Sequence, residues 1–122
     1  MNGINVLSLF DGCAGAMQAL EMLGIVPDKY YASEIDKYAI SIAMKNYPDI
    51  IQLGSVCDIK GSQFAERIDL LIFGSPCQDL SFAGKMEGLQ GENSVLFFEA
   101  LRILQEVNPT YFLMENVRMK KE

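Results

Sequence analysis

Residues 4–15 read Ile4-Asn5-Val6-Leu7-Ser8-Leu9-Phe10-Asp11-Gly12-Cys13-Ala14-Gly15. The run Ile4–Phe10 is short, mostly apolar and closed by Asp-Gly, which predicts a buried strand. Directly after it Met17, Leu20 and Leu23 recur at helical spacing, and Gly24 is a natural stop. A buried strand turning through glycine into a helix opens an α/β unit, and the rest of the chain repeats that alternation. Tyr30–Ser33 predicts a second strand. Asp36 can cap a helix carrying Ala39, Ile42 and Ala43, which Pro48 ends. Asp49–Leu53 predicts a third strand and Ile68–Phe73 a fourth. From about Ser94, the residues Leu96, Phe97, Ala100, Leu101 and Leu104 make an amphipathic helix, with Pro109 just beyond it. Thr110–Met114 predicts a fifth strand. Strand–helix alternation at these spacings implies right-handed crossovers and a parallel sheet covered on both faces. The expected fold is therefore a doubly wound α/β domain of five strands. Its ligand should lie beyond the carboxyl ends of the strands, where the strand order switches.

Composition bounds the function. The 122 residues allow one domain; half are hydrophobic and 21% charged, as in ordinary globular proteins. No apolar run approaches the ~20 residues of a membrane span. The first residues lack the basic-then-apolar pattern of a secretory leader. Ten Lys+Arg against sixteen Asp+Glu give a net charge of −6, a poor magnet for nucleic acid. The absence of histidine excludes a Ser-His-Asp triad, a Cys-His dyad and His-ligated metals, so no metal site is expected. Three cysteines, Cys13, Cys57 and Cys77, form no Cys-x-x-Cys pair and suit a reducing interior.

The switch-point rule sorts the candidates. Phe10–Gly15, Glu34-Ile35-Asp36, Cys57-Asp58-Ile59, Gly74–Asp79 and Glu115-Asn116-Val117 all follow strands or come close after them, and should share one edge of the sheet. Gly12 and Gly15 let backbone approach a ligand closely. The turn is neither G-x-G-x-x-G nor a P-loop, which disfavours a nicotinamide enzyme or a nucleotide triphosphatase. Glu34, ending the second strand, stands where such folds hold a ribose diol; taken alone it is equally an ordinary solvated carboxylate. With Asp58 near a base, the three features fit a nucleoside. Cys77, in Ser75-Pro76-Cys77-Gln78 just past a buried strand, is placed as a catalytic thiol or a passive one. With no histidine as base, its thiolate would need backbone N–H groups, a helix N-terminus or a bound cation. Cys13 and Cys57 are expected to be small buried space-fillers. Glu115 is a surface carboxylate or, in a closed cleft, a proton donor. The polar stretch Asp79–Asn93, with Gly84, Gly88 and Gly91, is longer than a plain turn needs.

Together these motifs resemble the amino-terminal half of a DNA (cytosine-5)-methyltransferase of bacterial or phage type, from Leu7 to Val117. The resemblance implies a Rossmann-like core that binds S-adenosylmethionine. Phe10, Gly12 and Gly15 correspond to the first motif, with Ala14 where many members carry glycine. Glu34 matches the ribose-holding acid, and Ile35 the apolar position beside it. Asp58 and Ile59 match the pair around the adenine. Gly74, Pro76 and Leu96 complete the implied cofactor set. Cys77 in Pro-Cys-Gln is implied as nucleophile, and Glu115 in Glu-Asn-Val as proton donor to ring N3. Carbon 5 of cytosine is a poor nucleophile until a thiolate adds at carbon 6. Neither group reaches a base inside a duplex, so the target must be flipped out. Asp79–Asn93 resembles the loop that closes over it, with Gln78, Ser81 and Lys85 at the DNA.

The family's later motifs and its target-recognition region have no counterpart here, so the chain is expected to be a partial catalytic domain, inactive alone. The implied partners are double-stranded DNA, once the chain is completed, and further copies through an exposed fifth strand. The implied location is the cytoplasm of a bacterial or phage-infected cell. A second reading is a non-catalytic cofactor-binding or partner-binding remnant, or one half of a split enzyme.

Overall fold

In the computed structural model, which describes residues 3–74 and 92–115, the chain runs β1 (Ile4–Leu9), α1 (Gly15–Met22), β2 (Pro27–Ser33), α2 (Lys37–Asn46) and β3 (Ile51–Gln52). Two short 3-10 turns follow, Val56–Asp58 and Gly61–Gln63, then β4 (Leu70–Gly74), α3 (Glu92–Val107) and β5 (Tyr111–Glu115). The five strands form one sheet in the order β3-β2-β1-β4-β5, every neighbouring pair parallel. The order reverses between β1 and β4, which makes the space above their carboxyl ends the expected ligand position.

β1 is central because its side chains are apolar in both directions, as a strand buried on two faces requires. Leu7 and Leu9 point into one cluster with Leu71, Phe73, Ala100 and Ile103. Val6 points into the other, with Leu20, Tyr30, Ala32 and Ala43. α3 therefore covers one face and α1 with α2 the other. Full burial of each large side chain is worth about 1.5–3 kcal/mol, so the seam of Leu7, Leu9, Leu71 and Phe73, all at most 1% exposed, anchors the sheet.

Local chemistry sets the ends of the elements. Asp36 caps α2 as expected, its Oδ1 accepting from the N–H groups of Tyr38 (2.9 Å) and Ala39 (3.3 Å). α1 has no side-chain cap; its N-cap, Ala14, is in the left-handed region at φ 70°. Leu23 is the C-cap of α1 and Gly24 follows at φ +75°, the conformation that favours glycine after a helix.

One expectation is corrected. β2 begins at Pro27, three residues before the apolar run, because proline is tolerated at the first residue of a strand. Cover on both faces holds for β1, and β5 is the open edge expected of the fifth strand: its five residues are all exposed, including Tyr111, Phe112, Leu113 and Met114. Among the described residues no helix is long and apolar enough to cross a membrane.

Candidate functional site

The strand register brings the predicted motifs to one edge. Leu9 pairs with Ser33 on one side and Phe73 on the other, and Gly74 pairs with Glu115. Phe10, Glu34, Gly74 and Glu115 therefore lie at one level, at the carboxyl ends of four adjacent strands. Pro76, Cys77, Gln78, Ser81 and Lys85 lie outside the described residues.

The turn after β1 is bent sharply. Phe10 (φ 56°), Gly12 (φ 63°) and Ala14 (φ 70°) all take left-handed backbone, which costs a non-glycine residue roughly 1–2 kcal/mol. Two such residues within five positions form a strained segment of the kind that clusters at ligand sites. Its reward here is an aimed N–H: Gly12 donates to Glu34 Oε1 at 2.8 Å. Glu34 Oε2 accepts from the N–H groups of Ile35 (3.1 Å) and Asp36 (3.0 Å). The carboxylate is thus fixed by three backbone donors from two segments. A carboxylate offers about four acceptor positions, so one remains for an outside hydroxyl.

Phe10, Glu34, Ile35 and Leu96 line one cleft, together with Ser33, Ser55 and Val56. The first four were expected from their motifs. Ile35 is 71% exposed, an apolar side chain held at the rim. Ser33 donates its hydroxyl hydrogen to the Gly54 carbonyl at 2.8 Å and ties the end of β2 to the segment that carries Ser55. Sequence reasoning missed Ser33, which ends β2 as a small polar residue, and Ser55 and Val56, which open a 3-10 turn that carries no apolar period to mark its inner side.

Other candidates fall differently. The Ile59 side chain is 1% exposed and belongs to the α3-side core, so it offers the cleft no side-chain surface. Asp58 is exposed at the end of the Val56–Asp58 turn and is not among the residues lining the cleft. Gly12 and Gly15 contribute backbone, with open space where a Cβ would stand. Gly74 lies beneath Glu115, whose Oε1 is 3.9 Å from the position a Cβ would take there. Cys13 and Cys57 are exposed, against the expectation of burial. Both sit in tight turns where a neighbour, Ala14 or Val56, takes the inward position.

A further pair was not foreseen. Asp11 is 8% exposed, and its Oδ1 accepts from the Tyr30 hydroxyl at 2.5 Å. Oδ2 is buried without a hydrogen-bond partner among the described residues. Burial pushes the Asp11 carboxyl above its ordinary range, against the lowering effect of Tyr30 and Ser8, and the charge of Glu34 adds to the rise. The Tyr30 hydroxyl is pushed up as well, first by burial and then by the Asp11 charge. Asp11 opens the glycine turn, its carbonyl accepting from the Ala14 N–H at 3.2 Å.

A parallel sheet with this strand order, a glycine turn after its first strand and an acid ending its second is the frame of a nucleoside-binding α/β domain. Residues 4–121 match the family described as C-5 cytosine-specific DNA methylase, and the chain belongs to that family. It is 38% identical over 120 residues to the orphan methyltransferase M.Rho11sI of Bacillus phage rho11s, an alignment that covers 97% of this chain and 24% of that protein. It is 32% identical over 118 residues to the type II methyltransferase M.HhaI of Haemophilus parahaemolyticus, covering 97% and 35%. The S. pombe Dnmt2 methyltransferase superimposes with a TM-score of 0.72 at 26% identity, over 94% of this chain and 34% of that one. The chain spans about a quarter to a third of the length of the curated relatives it matches.

Proposed function

We propose that this chain is the cofactor-binding and nucleophile-bearing part of a DNA (cytosine-5)-methyltransferase that works on a flipped-out cytosine. One observation carries the reading: Phe10, Glu34, Ile35 and Leu96, each assigned to the cofactor by its motif, line a single cleft beside the sheet's switch point. The donor set suits S-adenosylmethionine. Glu34 has an acceptor position left for a ribose hydroxyl, and Phe10, Ile35 and Val56 supply apolar surface for a base. When bound, S-adenosylmethionine supplies an electrophilic methyl group on its sulfonium.

The remaining chemistry belongs to this chain and the DNA. The Cys77 thiolate adds to carbon 6 of the cytosine, and the ring becomes enamine-like at carbon 5. Glu115 donates a proton toward ring N3 as charge builds there. Gln78, Ser81 and Lys85 meet the DNA. Pro76 borders the cofactor, and Asp58, which stands outside the cleft lining, is assigned to the base edge of the adenine by its motif. The relatives' bacterial and phage origin suits work in the cytoplasm.

The exposed β5 favours a second element of the reading: the 122 residues act only when completed by further sheet and a DNA-reading surface, or else they pair with one another through that edge. A net charge of −6 leaves little counterion-release drive toward DNA. Base flipping costs a few kcal/mol that contacts from both sides of the duplex normally offset. Two measurements test the reading. Titration calorimetry with S-adenosylhomocysteine should show weak binding, with amide protection at Gly12 and Glu34; absence of heat at millimolar ligand would refute the cofactor assignment. A tritiated-methyl assay on duplex DNA should show no transfer by the chain alone, and robust sequence-specific transfer would overturn the need for completion.

A further inference from the structure

Arg102 lies on α3 six residues beyond Leu96 and makes more polar contacts than any other described cation. It donates to Glu99 Oε1 from Nε (3.2 Å) and Nη2 (2.9 Å), and to Glu106 Oε2 from Nη1 (3.1 Å). Nη2 also donates to the Val56 carbonyl at 3.3 Å, forty-six residues away in sequence. Glu106 in turn accepts from the Gly61 N–H at 2.8 Å through Oε1. One Arg–Glu pair therefore holds the chain at Val56 and again at Gly61, on either side of Asp58 and Ile59. The fit at Gly61 is close: a Cβ there would stand 2.5 Å from the Glu106 Cβ and 2.8 Å from its carbonyl carbon. Val56 and Leu96 both line the cleft. α3 thus supplies one wall directly and holds the other through Arg102.

We propose that Arg102, held by Glu99 and Glu106, is a positioning residue that sets the base-recognising end of the cleft by fixing the Val56–Asp58 turn against α3. The proposal rests on the reading of the cleft as a site for an adenine nucleoside. The ribose end depends on Glu34, which is fixed by donors from other segments. The two ends are therefore separable. A guanidinium is needed because its fork serves two carboxylates and a carbonyl at once, which an ammonium cannot do in this planar arrangement. The pKa directions agree: hydrogen bonding to Glu99 holds Arg102 firmly charged, and the Gly61 N–H followed by Arg102 holds Glu106 below its ordinary range.

The test is titration calorimetry of the 122-residue chain with S-adenosylhomocysteine and with S-inosylhomocysteine, which differs only at the base. Arg102→Met should weaken S-adenosylhomocysteine by about tenfold and S-inosylhomocysteine by less than about threefold, the size expected when one set of base contacts is misplaced. Arg102→Lys should keep the wild-type melting temperature and show the same loss of discrimination. Glu106→Gln, which keeps an acceptor for Gly61, guards against a variant that fails to fold and should give a smaller shift in the same direction. Equal weakening of both ligands, or unchanged binding of S-adenosylhomocysteine by a folded variant, would overturn the proposal. Failure of the wild-type chain to bind either ligand would instead overturn the nucleoside reading beneath it.

Discussion

Cys77→Ala is expected to abolish methyl transfer when the chain is completed by the carboxyl-terminal half of a relative. The loss should be at least about 10³-fold, the scale seen when a covalent nucleophile is removed. Without thiolate addition at carbon 6, carbon 5 lacks the electron density to attack a sulfonium methyl. The two remaining cysteines are useful controls because both are exposed and free to react. Cys13 sits in the glycine turn and Cys57 in the Val56–Asp58 turn, so their alanine variants should change cofactor affinity more than the chemical step. Duplex DNA carrying 5-fluorocytosine should trap a covalent adduct on the Cys77 peptide. An adduct on the Cys13 or Cys57 peptide, or normal turnover by Cys77→Ala, would show the assignment to be wrong.

The parts of the molecule that were legible in the sequence are those governed by period and punctuation. Val6, Leu7 and Leu9 announce a strand buried on two faces. Gly24 and Asp36 mark a helix end and a helix start by backbone chemistry that does not depend on the rest of the fold. Phe10 and Glu34 were placed because the switch-point rule needs only the ends of strands. Pairings created by register or by irregular turns were not legible. Asp11 and Tyr30 are nineteen residues apart and meet only because β1 and β2 lie side by side. Ser55 and Val56 line the cleft from a 3-10 turn, where no spacing separates inward from outward residues. The same cause exposes Cys57, and it buries Ile59, whose motif suggested a place at the cofactor.

Tyr30→Phe is expected to destabilise the chain by about 1–3 kcal/mol, the range for leaving a buried polar group without its hydrogen-bond partner. That is a large part of the 5–15 kcal/mol that holds a typical domain together. Among the described residues the Asp11 carboxylate has one hydrogen bond, from Tyr30, and its second oxygen has none. Removing the hydroxyl leaves the carboxylate with only the lowering effect of Ser8 against burial and the like charge of Glu34. Asp11→Asn should cost much less, because the amide oxygen can still accept from Tyr30 and no charge is buried. The double variant should therefore be more stable than Tyr30→Phe alone, a non-additivity that two independent sites would not show. The pH dependence has a fixed sign. A carboxyl raised above its ordinary value of 3.8 when folded holds its proton more tightly in the native state. Its contribution is fully present below that value and is lost as pH rises through the raised folded pKa. Compared with Asp11→Asn, the wild-type chain should lose relative stability across this window, and Tyr30→Phe should lose more over a window shifted further upward. Urea denaturation of the four proteins between pH 4 and 8, read at constant m-value, measures all of these differences. Equal stability of wild type and Tyr30→Phe at pH 8, or strict additivity in the double variant, would mean that the buried acid does not depend on the tyrosine.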